Sequence, residues 1–276
     1  MKKRSFLVLG GDNRNLELVN LLKKDGHNVY LSHVDGMNFQ ESSIIIGPLP
    51  LSYDGNTLNA PFHSEKIILE DILTNIKKDQ VFIAGNVDNG FMSKAEEYGI
   101  TVIDYFKRED MQVLNAVPTA EGAIKLAIEH LPITIHNSNT LVLGFGRIGK
   151  ALSKMLQGIG GNVYVAARNY SDIAWIKNYG YTPILFWELD KHIHKMDIVF
   201  NTVPAMVLDR DLLFKLNKEA LIIDLASKPG GVDFLAAEEL GIKTIHALGL
   251  PGKTAPVSAA RIIKDTIYNI LEERGI

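Results

Sequence analysis

The chain has 276 residues and a formal net charge of −3, with 46% hydrophobic and 22% charged residues. About two domains with a sizeable core are expected, while disorder and a nucleic-acid-binding excess of cations are excluded. There is no cysteine, which removes disulfides, thiolate metal ligands, Fe–S clusters and a cysteine nucleophile and agrees with a reducing cytoplasm.

The chain begins "MKKRSFLVLGGDNR", a basic start followed by an apolar run too short for the core of a signal peptide, and no stretch is long enough to span a membrane. From there, apolar runs of strand length alternate with helical segments: "FLVLG", "NVYLS", "SIIIG", "VFIAG" and "ITVIDY". This rhythm predicts a small flavodoxin-like, doubly wound parallel sheet over residues 1–116 that serves as a substrate domain. "GGDNR" after its first strand lacks a third glycine, so a second full dinucleotide site is not expected. Asp12, Asn13 and Arg14 are placed at a helix start, Arg14 as a carboxylate clamp and Asp12 as a helix cap or an acid. "GNVDNG" adds Asn86 and Asp88 at the end of the fourth strand, and the turn-rich "LPLSYDGNTLNAPFHSEK" reads as a surface excursion.

A connecting helix is predicted over 117–135, with Ala123, Ile124, Ala127, Ile128 and Leu131 on one face. Thr119 and Glu121 would stand at its start, either as cap and first-turn acid or with Glu121 as a general base. A second series over 136–255 runs "TLVLG", "NVYVAA", "YTPILF", "DIVFNT", "ALIIDLA" and "KTIHAL", whose six strands suit a Rossmann dinucleotide-binding domain facing an interdomain cleft. Pro183 cannot donate to a ladder, which places its strand at the sheet edge, as the third strand is in the 3-2-1-4-5-6 order. The final segment, 256–276, opens with Pro256 and a possible Ser258 cap and reads as an amphipathic helix returning to the first domain.

"LGFGRIGKAL" supplies the chemistry-bearing turn. Gly144 turns the chain, Gly146 admits the pyrophosphate, Gly149 lets helix and strand approach, and the backbone at Arg147 and Ile148 opens a helix that favours an anion. About 20 residues beyond the loop an NAD enzyme offers a carboxylate to the ribose. Here Ala167, Arg168 and Asn169 stand instead, and a guanidinium suits the 2′-phosphate of NADP. Asn201, Thr202 and Pro204 follow the fourth strand and border the nicotinamide side or form an ordinary turn. Ser227 and Lys228 follow the fifth, where the lysine is either exposed or orients a carboxylate; Lys253 is a further candidate for the cleft. His192 and His194 lack the acidic or sulfur partners of a metal site, so no metal is expected. His246 reads as a core histidine or a proton carrier.

The strings "GGDNR", "NAVPTAEGAI", "LGFGRIGKAL", "NVYVAARN", "IKNYGY", "DIVFNTVPAMVL", "LIIDLASKPGGVDF" and "GLPGKTAP" resemble the dipicolinate synthase A-subunit family through nearly the whole chain. The resemblance implies a cytoplasmic NADP-dependent oxidoreductase of spore-forming bacteria, related in architecture to D-2-hydroxyacid dehydrogenases. It works in the mother cell beside a smaller, flavoprotein-like B-subunit and forms pyridine-2,6-dicarboxylate from a tetrahydrodipicolinate-type intermediate. Family members commonly carry arginine where this chain has Lys228, which keeps the charge and loses the fork. For that reaction Arg14 and Lys228 are the first choices to hold the two substrate carboxylates, and Glu121 or Asp12 to assist loss of water. A D-2-hydroxyacid dehydrogenase and a non-catalytic NADP-binding scaffold are the competing readings.

Overall fold

The computed structural model describes residues 3–32, 39–227 and 229–276. The chain divides into two compact units, one formed by the chain up to Asn115 together with Ala255–Ile276, the other by Ala116–Thr254.

In the first unit the elements run β1 (Ser5–Val8), α1 (Asn13–Lys24), β2 (Asn28–Leu31), β3 (Ile44–Ile46), α2 (Leu69–Asn75), β4 (Val81–Ala84), α3 (Asn89–Glu97) and β5 (Thr101–Asp104). The strands form a parallel five-stranded sheet in the order β2-β1-β3-β4-β5. Its central strands are apolar on consecutive residues because both faces are covered: Ile45 and Phe82 enter one core with Ile72 and Phe91, whereas Ile44, Ile46 and Ile83 enter the other.

Helix α4 (Glu109–His130) follows and carries the division between the units within its length. It starts eight residues before the predicted Val117, since Glu109 and Asp110 supply the negative charge that a helix N-terminus favours. Pro118 lies inside it. Glu121 and Thr119 are therefore mid-helix, not at a helix start, and Thr119 is buried.

The second unit runs β6 (Asn139–Leu143), α5 (Arg147–Ile159), β7 (Asn162–Ala167), α6 (Tyr170–Asn178), β8 (Thr182–Leu185), α7 (Leu189–His192), β9 (Ile198–Asn201), α8 (Arg210–Lys215), β10 (Leu221–Asp224), α9 (Phe234–Glu239), β11 (Lys243–His246) and α10 (Leu250–Thr254). Its six parallel strands are ordered β11-β10-β9-β6-β7-β8, the 3-2-1-4-5-6 arrangement with Pro183 on the edge strand β8. Apolar clusters again fill both faces.

The last helix, α11 (Pro256–Glu273), packs on α1 in the first unit and buries Ala260, Ile263 and Ile267 beside Leu18 and Leu22. Ala255 is its N-cap and Pro256 its first residue, so Ser258 does not cap it; proline's fixed φ and missing donor suit that first position. Lys264 and Tyr268 on α11 both hold Asp25, at 2.7 and 2.9 Å. Among the described residues no helix is long and apolar enough to cross a membrane.

Candidate functional site: a glycine loop and three strand-end loops

The turn between β6 and α5 needs each of its glycines for a different reason. Gly144 has φ +95°, and a Cβ there would stand 2.6 Å from Thr202 Oγ1. A Cβ on Gly149 would stand 2.2 Å from the Gly144 carbonyl oxygen, so α5 and β6 can approach this closely only through glycine. At Gly146 the same construction meets nothing within 4 Å. Gly146 is also the N-cap of α5 and offers no side chain to its first turn. The one open Cβ direction thus lies at a helix N-terminus, where a pyrophosphate must come close, and the residues fit that group. Arg147 is exposed and Ile148 is half-buried against the core.

Beyond β7, Arg168 is exposed, with its guanidinium carbon 5.7 Å from the Phe186 ring centroid. Asn169 caps α6, accepting from the Asp172 amide at 2.7 Å and donating to the Asp172 carboxylate at 2.8 Å. Its carboxamide is therefore engaged in the helix start. After β9, Thr202 donates to the Leu143 carbonyl at 2.8 Å, which ties this loop to the glycine loop, while Pro204 is exposed on the turn. Asn201 and Asp224, both fully buried, hydrogen-bond at 2.8 Å.

In the first unit Asp12 caps α1 and pairs with Arg14 through both carboxylate oxygens, Nε–Oδ1 at 2.9 Å and Nη2–Oδ2 at 2.9 Å. Arg14 is buried, and Nη2 also donates to the Leu49 carbonyl. Burial pulls the guanidinium down, but the Asp12 hydrogen bond and charge outweigh it and hold Arg14 above its ordinary value. The predicted surface excursion is exposed at 53–56 and 64–66 but turns Leu58 inward and meets this corner at Asn59: Gly11 donates to the Asn59 carbonyl at 2.7 Å, and a Cβ on Gly10 would meet that oxygen at 2.9 Å. Asn86 adopts φ +52°, its amide and that of Val87 held by the Asp104 carboxylate at 2.9 and 3.0 Å, and Asp88 caps α3.

Glu121 is exposed on α4, and Lys253 is exposed on α10. Lys228 lies outside the described residues. His246 is exposed on the edge strand β11, not in the core, with Nε2 3.3 Å from the Ala226 carbonyl; an edge strand leaves its last residue open to solvent. His194 is exposed, and among the described residues no three His, Cys, Asp or Glu cluster as metal ligands. Sequence reasoning passed over Phe186 and Asp224. An aromatic residue closing the third strand, and an acid closing the otherwise apolar "LIID" with two glycines six and seven residues on, were the available signals.

A family model for the N-terminal domain of the dipicolinate synthase A-subunit matches residues 5–106, and one for the NAD-binding domain of D-isomer-specific 2-hydroxyacid dehydrogenases matches residues 96–229. The dipicolinate synthase A-subunit of Bacillus subtilis (strain 168) is 34% identical over 283 residues, covering 96% of this chain and 95% of that protein. The crystal structure of that enzyme's A-subunit from Bacillus subtilis superposes with a TM-score of 0.87 at 33% identity, over 99% of this chain and 97% of that one. The corresponding structure from Bacillus halodurans gives 0.86 at 30% identity, over 97% of each. Fold and glycine loop together define an oxidoreductase of the dehydrogenase type that uses a nicotinamide dinucleotide. Within that class, the chain belongs to the dipicolinate synthase A-subunit family.

Proposed function

We propose that this protein is the dehydrogenase component of a dipicolinate synthase, acting with NADP in the cytoplasm of a sporulating cell beside a B-subunit. The observation that carries the reading is the guanidinium of Arg168 directly beyond β7, behind a glycine loop fitted to a pyrophosphate, in a chain of this family. No carboxylate stands at 167–169 to repel a 2′-phosphate, and Arg168 rests over Phe186, which limits its freedom before a ligand arrives.

A dihydropyridine dicarboxylate becomes pyridine-2,6-dicarboxylate by losing one hydride and one proton; a hydroxylated precursor must first lose water. NADP supplies the hydride acceptor. The chain's own groups hold the ring and handle the proton. Lys228 is assigned to one substrate carboxylate. Arg14 is assigned to the other by exchange: a substrate carboxylate that displaces Asp12 from the guanidinium also releases Asp12 to take a proton. Glu121 is the alternative base.

The test supplies purified protein, with and without the B-subunit, with enzymatically generated dihydrodipicolinate precursor and either coenzyme, following reduced coenzyme and pyridine dicarboxylate together. NADP-dependent formation of both is expected, and Arg168→Asp is expected to shift the preference toward NAD by about 10- to 100-fold, the worth of a charge-assisted hydrogen-bonded contact. An unchanged preference rules out the assigned phosphate contact. Tight NADPH binding without turnover in either preparation leaves a nucleotide-binding scaffold in its place.

A further inference from the structure

The carboxylate of Asp224 at the end of β10 is fully buried, and every hydrogen-bond partner described for it is a donor. Oδ1 accepts from the Ala226 amide at 3.1 Å and from Asn201 Nδ2 at 2.8 Å, and Oδ2 accepts from the Gly231 amide at 3.1 Å. The two amides are the two ends of the "ASKPGG" loop, so one carboxylate closes that loop at its base. Asn201, also fully buried, turns its own loop by accepting from the Val203 amide at 3.1 Å and donating to the Val203 carbonyl at 3.0 Å. Thr202 then fastens the same loop to the Leu143 carbonyl beside Gly144.

The glycines of "PGG" follow from this arrangement. A Cβ on Gly230 would stand 2.8 Å from Asp224 Oδ2, and one on Gly231 would stand 2.4 Å from Asn201 Nδ2 and 2.6 Å from the Val203 carbonyl. Gly230 also has φ +87°. Any side chain at either position would push the loop off the buried pair. Past the glycines, the Gly231 carbonyl accepts from the amides of Val207 and Leu208 at 3.0 and 2.9 Å, so the loops after β9 and β10 are joined a second time.

We infer that Asp224 and Asn201 are positioning residues: through the loop backbones they hold Ala226 and Gly231, after β10, to the loop after β9 and so to the glycine loop, at the nicotinamide end of the dinucleotide. The inference rests on the dinucleotide site proposed above. A buried carboxylate in this place organises three loops without touching substrate. An amide at position 224 keeps the shape but must turn a donor toward either Asn201 Nδ2 or a backbone N–H, and one end of the loop is released.

The experiment compares wild type with Asp224→Asn and the milder Asn201→Ala. Affinities are measured for NADPH and for 2′,5′-ADP, which carries the adenine half alone, and amide hydrogen exchange is followed over 225–232. Asp224→Asn is expected to weaken NADPH about tenfold, equivalent to ~1.4 kcal/mol, while 2′,5′-ADP binding stays within about twofold. Exchange at Ala226 and Gly231 should quicken in both variants, and more in Asp224→Asn. Equal losses for both ligands identify general damage to the unit and overturn the inference, as does unchanged protection at Ala226 and Gly231. If Asp224→Asn does not fold, the same comparisons on Asn201→Ala decide it. Failure of wild type to bind either nucleotide overturns the dinucleotide reading and with it the positioning role, whereas wild type that binds NADPH beside variants that bind it equally well overturns the positioning role alone.

Discussion

At Gly149 the missing side chain is a distance requirement: 2.2 Å from a hypothetical Cβ to the Gly144 oxygen leaves no room for adjustment, because the obstacle is the backbone of the loop itself. Gly149→Ala must move α5 away from β6 and carry the first-turn amides out of register with a pyrophosphate. NADPH affinity measured by fluorescence titration is expected to fall at least about tenfold. At the same scale His27 is buried, its Nδ1 accepting from the Arg4 amide at 3.2 Å and its Nε2 without a partner among the described residues. Its ring lies between Phe6 and Tyr268, and the charges of Arg4, Asp25 and Lys264 surround it. Burial first, then the Arg4 charge, hold its pKa below the ordinary value. The unfolded chain therefore takes up this proton before the folded one does. The stability that neutral His27 contributes is complete above its unfolded value of about 6.5 and is lost as pH falls through the depressed folded value. His27→Gln should flatten the acid limb of a stability–pH curve followed by circular dichroism; an unaltered limb would refute the assignment.

Among the elements, α11 shows how a distant segment completes a core. Ile267 is fully buried among residues of α1 and of the first sheet, so Ile267→Ala is expected to cost about 2–5 kcal/mol, read as a lower midpoint in urea. The strands were legible in the sequence because a parallel sheet covered on both faces writes each strand as a short apolar run, and Pro183 located the edge β8 by its chemistry alone. The glycine loop was legible because each of its glycines answers a separate steric demand. Helix α4 was misread at its start, placed at Val117, whereas the acidic pair at Glu109 and Asp110 begins the helix two turns earlier and Pro118 is carried inside it. His246 was misplaced although the order 3-2-1-4-5-6 already makes its sixth strand an edge, because its nearness to the cofactor end was read as burial rather than as an open strand end. The Asp224–Asn201 pair stayed hidden for another reason. Its meaning is a contact between residues 23 apart in the chain, and neither residue signals the other locally.

For the whole molecule, the two tryptophans, Trp175 and Trp187, both belong to the second unit, so tryptophan emission reports that unit while circular dichroism reports both. A ligand that binds the native second unit should stabilise the emission-monitored transition by about 2.7 kcal/mol at a hundredfold excess over its Kd. NADPH producing no shift in that transition would contradict a dinucleotide site there. Pro183 has one more consequence. The outermost strand of the six-stranded sheet lacks a backbone donor at its second residue, which makes that flank a poor template for a foreign strand, and a crowded cell gains from it a protein less prone to fibrillar stacking.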